Sequence, residues 1–191
     1  MLLVLRRAVV SLLLMVVITG AAYPLVVTAI GHVVFPHRSH GSLIVRGDQI
    51  VGSELIGQPF ESPKYFWPRP SATDPVPYNA GASTGSNLGP ANPTLMQTVQ
   101  ERVAKLKAAD PNNDQTIPVD LVTASGSGLE PYISPAAAQY QVSRVARARG
   151  LPAEQVQQLV RENTWDRQWG LLGQPRTNVV TLNLALDRLS K

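Results

Sequence analysis

The sequence has 191 residues and contains no cysteine. This absence excludes disulfide bonds, thiolate metal sites and cysteine nucleophiles. No glycine is followed directly by lysine, so the chain lacks the lysine that grips nucleotide phosphates in a P-loop. With 44% hydrophobic residues, the chain is long enough for one domain with a sizeable core, plus an additional segment at one end.

Charged residues are missing from a long stretch near the amino terminus. After Arg6 and Arg7, no Asp, Glu, Lys or Arg occurs before Arg38. As a helix, residues 8–34 would span about 40 Å, more than the ~30 Å hydrocarbon core of a bilayer. A cleaved signal peptide is the alternative, but the apolar run continues past Pro24, beyond the usual length of a signal core. We therefore favour an uncleaved membrane helix that Pro24 kinks or locally loosens.

The charges beside this helix predict its orientation. Arg6, Arg7 and the free amino terminus favour a cytoplasmic N-terminus. We therefore predict a lipid-contacting, single-pass anchor in the inner membrane over residues 1–37 and one extracytoplasmic domain over residues 38–191. His37 and His40 would lie near the membrane surface, and we predict no metal site there because no carboxylate or further histidine accompanies them.

The formal net charge of +4 does not indicate nucleic-acid binding. From Arg38 onward, 15 basic residues stand against 13 acidic ones, whereas phosphate binding needs a dense basic footprint. Arg144, Arg147 and Arg149 form the one local basic cluster, which we place on the solvated face of a helix. No nucleic-acid partner is expected.

The local patterns predict a mixed α/β fold, with one N-terminal transmembrane helix followed by a single exported α/β domain. Apolar runs on both sides of a Gly-Asp turn predict a hairpin within residues 41–57, and alternation predicts a strand over residues 117–123. Capping residues and apolar spacing predict three helices, over residues 93–107, 135–149 and 152–163. Residues 177–189 fit a helix and a strand equally well.

The segment from Tyr65 to Pro90, called the Pro-rich loop below, can be neither a helix nor an ordinary strand. Seven of the 16 prolines lie between Pro63 and Pro93, yet the segment carries aromatic residues that disordered segments usually lack. We predict an ordered loop, whose length is typical of functional loops. A loop that only covers its own domain is an equally weighted alternative. Its candidate partner-contact residues are Tyr65, Phe66, Trp67, Arg69, Tyr78, Asn79 and Asn87.

One stretch of this loop matches a catalytic pattern. Residues 81–85, GASTG, fit the G-x-S-x-G motif, in which Ser83 would be the nucleophile. The flanking residues predict neither the strand nor the helix that this motif needs, and all three histidines precede the serine, so a triad is not supported. A dyad with Lys105 or Lys107 stays open. A membrane-tethered serine hydrolase is therefore the alternative function.

Two predicted turns resemble ligand-binding loops in sequence. Residues 110–115 carry the first three ligand positions of a calcium loop, but Gln115 and Leu121 replace the required Gly and Glu, so we predict an ordinary turn. The SGSG stretch at residues 125–128 has backbone N–H groups that could cradle a phosphate. Without a P-loop lysine, we favour a structural turn there as well.

Four blocks of sequence resemble the C-subunit family of the Kdp potassium-transporting P-type ATPases. With the single N-terminal span, the similarity covers almost the whole chain. The resemblance implies a non-catalytic accessory subunit beside a channel-like potassium-translocating subunit and an ATP-hydrolysing subunit, which carries the phosphorylated aspartate. It also implies that the carboxy-terminal segment is a helix. The blocks are YFWPRPSA at 65–72, PYNAGASTGSNLGPANPTL at 77–95, VDLVTASGSGLEPYISPAAAQYQVSRVARARGL at 119–151 and GQPRTNVVTLNLALD at 173–187.

The resemblance implies two possible roles. One is a catalytic chaperone that raises the ATP affinity of the pump through LPAEQ at residues 151–155, which looks like the ABC-transporter signature and offers Gln155 as a nucleotide contact. A domain outside the cytoplasm cannot meet cytoplasmic ATP, so we expect no cofactor on this chain, with ATP acting through the catalytic subunit. We favour assembly, stabilisation or gating at the outer face. Pro68 stands where the family usually has glycine.

Overall fold

The computed structural model describes residues 1–189. The last two residues of the predicted exported domain, 190 and 191, lie outside the described residues. The chain divides into two compact units, residues 1–43 and the residues from 44 onward. Helices and two small sheets make up a mixed α/β fold, which confirms the predicted fold class.

The first unit is dominated by one continuous helical stretch, Leu2–Val34. It consists of α1 (Leu2–Val17), a π-helical turn (Ile18–Ala22) and α2 (Tyr23–Val34), and the short α3 (Pro36–Ser39) follows. The stretch is long and apolar enough to cross a membrane, and none of it is buried against protein. These properties fit a single-pass membrane anchor.

Pro24 explains the π-helical turn. Proline has no N–H to donate, and its ring clashes with the carbonyl of the fourth preceding residue, here Gly20. Immediately before the proline, the N–H of Tyr23 donates to the carbonyl of Ile18, five residues back. The helix is therefore locally widened at this point, which confirms the predicted loosening.

The first unit brings two of the three histidines together. The rings of His32 and His40 meet edge to face, with their centroids 4.9 Å apart. The Ser39 hydroxyl lies 3.3 Å from Nδ1 of His40 and 3.5 Å from Nδ1 of His32. Among residues 1–189, no group of three His, Cys, Asp or Glu side chains is placed to hold a metal ion.

Two small sheets are present, and all of their strand residues except Leu43 belong to the second unit. Strands β1 (Leu43–Arg46) and β2 (Gln49–Ser53) pair with each other, which confirms the predicted hairpin. The other sheet has the order β3-β5-β4, with strands β3 (Tyr132–Ile133), β4 (Thr164–Trp165) and β5 (Arg176–Asn178). Both of its pairings are antiparallel.

Four helices form the body of the second unit: α4 (Pro93–Ala109), α5 (Pro135–Arg149), α6 (Ala153–Glu162) and α7 (Val179–Leu189). The Asn92 carboxamide caps α4 by accepting from the N–H of Thr94 at 2.9 Å. The Ser134 hydroxyl caps α5 by accepting from the N–H of Ala137 at 3.0 Å, and Gly150 ends α5 with a φ of +65°. These ends are the ones predicted from sequence.

The ambiguous carboxy-terminal segment contains both kinds of structure. Strand β5 ends at Asn178 and α7 begins at the next residue. The carboxamide oxygen of Asn178 accepts from the N–H groups of Val180 at 3.0 Å and Thr181 at 3.2 Å, which starts the helix. The helix that the family resemblance implied is confirmed from Val179 onward.

The predicted strand over residues 117–123 is wrong. A single 3₁₀ turn, Val119–Leu121, lies there instead. The alternating apolar residues do not share one buried side of the chain: Val119 is exposed, whereas the consecutive residues Leu121 and Val122 are both buried. The turn also directs the Asp120 carboxylate to the start of α5, where it accepts from the N–H of Ser134 at 2.7 Å.

The core lies where α5, α6 and α7 meet the smaller elements. It also includes one residue of the Pro-rich loop, so the loop is part of the folded body. The fully buried members of this core include Phe66, Val142, Val145, Val156, Leu182 and Leu186.

Candidate functional site

The Pro-rich loop contains no helix and no strand. Its first residues, from Tyr65 to Arg69, are held by side chains of the second unit, whereas residues 80–90 are mostly exposed. The loop therefore has an anchored part and an accessible part.

A buried carboxamide on α7 fixes the backbone of Phe66. The N–H of Phe66 donates to Oδ1 of Asn183 at 2.9 Å, and Nδ2 of Asn183 donates to the carbonyl of Phe66 at 3.0 Å. Phe66 and Asn183 are 0% and 1% exposed. The carboxamide thus satisfies both backbone groups of a buried residue that belongs to neither a helix nor a sheet.

A second carboxamide, on α5, repeats this arrangement at Trp67. The N–H of Trp67 donates to Oε1 of Gln141 at 2.8 Å, and Nε2 of Gln141 donates to the carbonyl of Trp67 at 3.1 Å. Asn183 and Gln141 therefore bind two consecutive peptide units of the loop as a neighbouring strand would.

Arg144 completes this attachment. Its Nη2 donates to Oε1 of Gln141 at 2.6 Å, its Nη1 donates to the carbonyl of Pro63 at 2.5 Å, and its guanidinium carbon lies 4.4 Å from the centre of the Trp67 ring. Burial lowers the pKa of Arg144 to about 10, although Asp110 and Tyr140 oppose this shift. The guanidinium stays charged at neutral pH and stacks on the indole.

The interpretation of the arginine cluster as a solvated face is therefore wrong for two of its three members. Arg144 is 4% exposed, and the Arg149 side chain is also almost fully buried. Arg147 is exposed and pairs with the buried carboxylate of Asp110. The spacing of these arginines suggested a solvent-exposed helix face, because the loop that covers two of them is distant in sequence.

Tyr65 is held by a charged pair. Its hydroxyl donates to Oδ1 of Asp187 at 3.0 Å, while Nη2 of Arg149 lies 2.9 Å from the same oxygen. The Arg149 guanidinium carbon also stands 4.8 Å from the centre of the Tyr65 ring. Burial, followed by the bond to Asp187, raises the pKa of Tyr65.

Arg69 and Tyr78 fix the next part of the loop. Nη1 of Arg69 lies 2.9 Å from Oε2 of Glu130, and its other nitrogens donate to backbone carbonyls of residues 123 and 124. The Tyr78 hydroxyl donates to the carbonyl of Arg69. Tyr78 is buried with a φ of +61°, and its pKa is raised mainly by burial.

The two predicted asparagines differ in their contacts. The Asn79 amide donates to the carbonyl of Asp74 at 2.9 Å, and its oxygen accepts from the N–H of Gly81 at 3.0 Å. Asn87 lies in the exposed part with a φ of +51°, a backbone conformation that asparagine tolerates better than most residues. Asn79 thus stabilises the loop, whereas Asn87 is accessible.

Ser83 is part of a backbone contact between two loops. Its hydroxyl donates to the carbonyl of Ser127 at 3.0 Å, and the N–H of Thr84 donates to the same carbonyl at 3.0 Å. Neither a strand before it nor a helix after it forms the turn that exposes a hydrolase nucleophile. Nζ of Lys105 lies 3.2 Å from a carboxylate oxygen of Glu61.

The SGSG stretch is the other half of this contact. Gly128 has a φ of +69°, and a Cβ there would lie 2.6 Å from Cγ2 of Thr73 and 2.7 Å from the carbonyl oxygen of Thr84. The glycine is needed because two backbones approach closely. This packing matches the structural turn that the sequence favoured.

The turn that imitates a calcium loop is held by protein contacts. The N–H of Asn113 donates to the carbonyl of Asp110 at 3.1 Å, and the Asp110 carboxylate pairs with Arg147 and accepts from Asn113. The carboxylate that would be the first calcium ligand is already neutralised, so this is the ordinary turn predicted.

Gln155 lies apart from the Pro-rich loop. It is exposed in the first turn of α6, where its N–H donates to the carbonyl of Pro152 at 3.2 Å. The structure therefore does not place the proposed nucleotide contact with the other candidate residues.

A cavity of about 220 Å³ borders the anchored part of the loop. Pro68 lines it, together with aromatic residues and two basic side chains of α4. Nη1 of Arg102 donates to the carbonyl of Val122 at 2.8 Å, and Nζ of Lys105 lies 5.4 Å from the centre of the Trp67 ring. The other main lining residues are Phe60, Trp67, Tyr78 and Leu106.

Sequence reasoning missed Asn183, Gln141 and Asp187, which attach the loop. A signal was present, because Asn183 interrupts the apolar run TLNLAL. A polar side chain on the buried face of a helix needs a partner, but the sequence alone does not say where that partner lies.

Comparison with known proteins gives consistent matches over nearly the whole chain. The sequence model of the family described as KdpC, the K+-transporting ATPase c chain, matches residues 5–188. A potassium-transporting ATPase KdpC subunit of Sorangium cellulosum is 58% identical over 183 residues, which cover 96% of this chain and 96% of the relative.

Two further relatives carry the same description. The protein of Herpetosiphon aurantiacus is 59% identical over 184 residues, covering 96% of this chain and 95% of its own length. The protein of Dechloromonas aromatica is 57% identical over 187 residues, covering 98% of each chain. The present chain therefore belongs to the KdpC family, the c chains of K+-transporting ATPases.

Proposed function

We propose that this chain is a non-catalytic accessory subunit of an ATP-driven, high-affinity potassium uptake complex. The observation that carries the proposal is family membership over residues 5–188. The apolar helix Leu2–Val34 supports it, since it would fix a folded unit at the membrane beside the transporting subunits. ATP hydrolysis and potassium translocation belong to other chains in this proposal.

The proposed partners are a channel-like potassium-translocating subunit and a P-type ATP-hydrolysing subunit. Arg6 and Arg7 support a cytoplasmic N-terminus, which would place the second unit on the outer side. At that side the chain would assemble, stabilise or gate the complex by contact.

The Pro-rich loop is the proposed contact with the channel-like subunit. Its anchored part, at Phe66 and Trp67, is held by buried carboxamides, so the accessible part would present a preformed surface. A preformed surface loses little conformational entropy on binding. The buried rings of Phe66 and Tyr78 would position this surface without touching the partner.

A charge placed on the accessible part tests this contact. Ser86→Arg should reduce the amount of partner subunit that copurifies with the chain, because a bulky cation would stand within the interface. Gln100→Arg, on the exposed face of α4, is the matched control and should leave copurification unchanged. Equal recovery of both variants would contradict the loop contact while leaving the subunit assignment intact.

A finer proposal concerns ATP. If the chain raises the ATP affinity of the pump through Gln155, then Gln155→Ala should raise the ATP concentration needed for half-maximal activity in the assembled complex. The exposure of Gln155 permits such a contact. Because ATP is in the cytoplasm, this role would also require the second unit to lie on the cytoplasmic side. An unchanged ATP dependence would restrict the chain to the assembly role.

A further inference from the structure

A compact turn between β4 and β5 carries the two most exposed large hydrophobic side chains among the described residues of the second unit, Trp169 and Leu171. The N–H of Gln168 donates to the carbonyl of Leu172 at 2.9 Å, and the N–H of Leu172 donates back at 2.9 Å. Trp169, Leu171 and Leu172 are 81%, 80% and 54% exposed. Residues 168–172 are called the apolar tip below.

The need to form a turn does not explain the tryptophan. Trp169 has a φ of +54° and Gly170 a φ of +74°, a pair of conformations that Asn-Gly adopts most easily. A bulky residue is uncommon in this region and is unfavourable there. A residue in an unfavourable conformation, with its ring in water, points to a function for the ring.

Most backbone N–H groups of the apolar tip are already paired, which suits a lipid environment. The N–H groups of Gln168, Gly170, Leu171 and Leu172 all donate to carbonyls within residues 167–172. Backbone groups that are already paired can enter an apolar phase at low cost. No charged residue occurs from 168 to 175.

Basic and aromatic side chains lie at the base of the apolar tip. The Arg167 guanidinium donates to the Gln174 carboxamide at 3.1 Å. The Arg176 guanidinium carbon lies 5.5 Å from the centre of the Trp165 ring and 4.9 Å from that of Tyr132. The apolar side chains therefore lie at the end of the turn, and Trp, Tyr and Arg side chains lie behind them. Proteins that contact a membrane interface often show this order of side chains.

The size of the apolar tip also favours lipid over a protein partner. A buried Trp contributes roughly 150–250 Å², and three side chains remain below the ~800 Å² per partner of a standard protein interface. Weak lipid contact is sufficient when a second anchor is present on the same chain. The membrane helix is such an anchor, and residues 35–43 link its last residue to the second unit.

We propose that the apolar tip is a second membrane-contact site, in which Trp169, Leu171 and Leu172 insert into the headgroup region of a bilayer. This proposal goes beyond the subunit assignment and does not depend on it. The tip would limit rotation of the second unit at the membrane surface.

The lack of cysteine allows a direct test by single-site labelling. The full chain carrying Leu171→Cys, labelled with bimane, is reconstituted into nanodiscs of phosphatidylethanolamine and phosphatidylglycerol. Quenching is measured with a nitroxide-bearing lipid and with aqueous iodide. Val119→Cys, at another exposed apolar position, is the matched control.

The proposal predicts strong quenching by the lipid nitroxide at position 171 and little at position 119, with the reverse order for iodide. Adding Trp169→Asn, which suits the turn but removes the ring, should cause loss of most of the lipid quenching. Iodide quenching at both positions would overturn the proposal. Shielding of position 171 only when the other pump subunits are present would also overturn it, in favour of a protein contact.

Discussion

The Asn183 carboxamide pairs with both backbone groups of Phe66, which is 117 residues away in sequence. Gln141 does the same for Trp67. Two helices thus hold the start of a loop that has no strand partner. The proposed contact role of the Pro-rich loop depends on this attachment, because an unattached loop would lose entropy on binding.

Asn183→Leu should destabilise the second unit strongly. The variant keeps a similar side-chain volume but leaves the buried N–H and carbonyl of Phe66 without partners, which together cost about 2–4 kcal/mol. Urea unfolding of the full chain in detergent, followed by tryptophan fluorescence, measures this loss. Asn112→Leu, at an exposed position, is the control. Equal stability of the two variants would show that the bonds to Phe66 do not hold the loop.

Gly128→Ala and Gly126→Ala form a matched pair in the SGSG stretch. The first adds a methyl group against Thr73 and the carbonyl of Thr84 at a φ of +69°, and should cost at least about 2 kcal/mol. The second adds a methyl group with nothing within 4 Å, and should change stability by less than about 0.5 kcal/mol. Thermal unfolding of both variants checks the difference. Similar melting temperatures would contradict the close packing of the two loops.

Tyr78 should make the second unit sensitive to alkaline pH. Burial raises the pKa of its phenol above the ordinary value of 10.0, so above that pH the unfolded chain loses this proton first. The stability that Tyr78 contributes is therefore complete below pH 10 and falls as the pH rises beyond it.

Tyr78→Phe removes this contribution. The variant should be about 1 kcal/mol less stable than wild type at pH 8, since it lacks the bond to the Arg69 carbonyl. Between pH 9 and 11 its urea midpoint should fall less steeply than that of wild type. Tyr65 and Tyr140, whose pKa values burial also raises, contribute slopes of the same sign as Tyr78. Arg144, whose pKa burial lowers to about 10, contributes a slope of the opposite sign, and all three residues are present in both chains. Parallel pH profiles would contradict the buried position of the Tyr78 phenol.

Ser83→Ala separates the subunit from the hydrolase alternative. Because the hydroxyl only donates to the carbonyl of Ser127, its removal should cost about 1 kcal/mol of stability. Potassium-stimulated ATPase activity of the assembled pump should be unchanged. An esterase activity present in the wild-type chain and absent from the variant would instead support a hydrolase.

Features that depend on short-range sequence could be predicted. The membrane helix, the widening at Pro24 and the caps at Asn92, Ser134 and Gly150 each follow from residues that lie close together in the chain. The strand predicted over residues 117–123 is absent, because the apolar residues that alternate in the sequence do not correspond to the residues that are buried.

Features that depend on contacts distant in sequence could not be predicted. Arg144 looked solvent-facing because its partners, Pro63 and Trp67, lie more than 70 positions away. Asn183 and Gln141 were visible only as polar residues within helices. The Pro-rich loop was correctly predicted to be ordered, but the sequence could not show which of its aromatic rings are buried.

If this chain is a non-catalytic subunit of a potassium-transporting ATPase, the intact pump should require it. The most direct test reconstitutes the pump with and without the chain and measures potassium-stimulated ATP hydrolysis at several ATP concentrations. Omission should abolish the intact complex and its potassium-stimulated activity, and adding the wild-type chain should restore both. A complex that assembles and hydrolyses ATP equally well without the chain would rule out this subunit role.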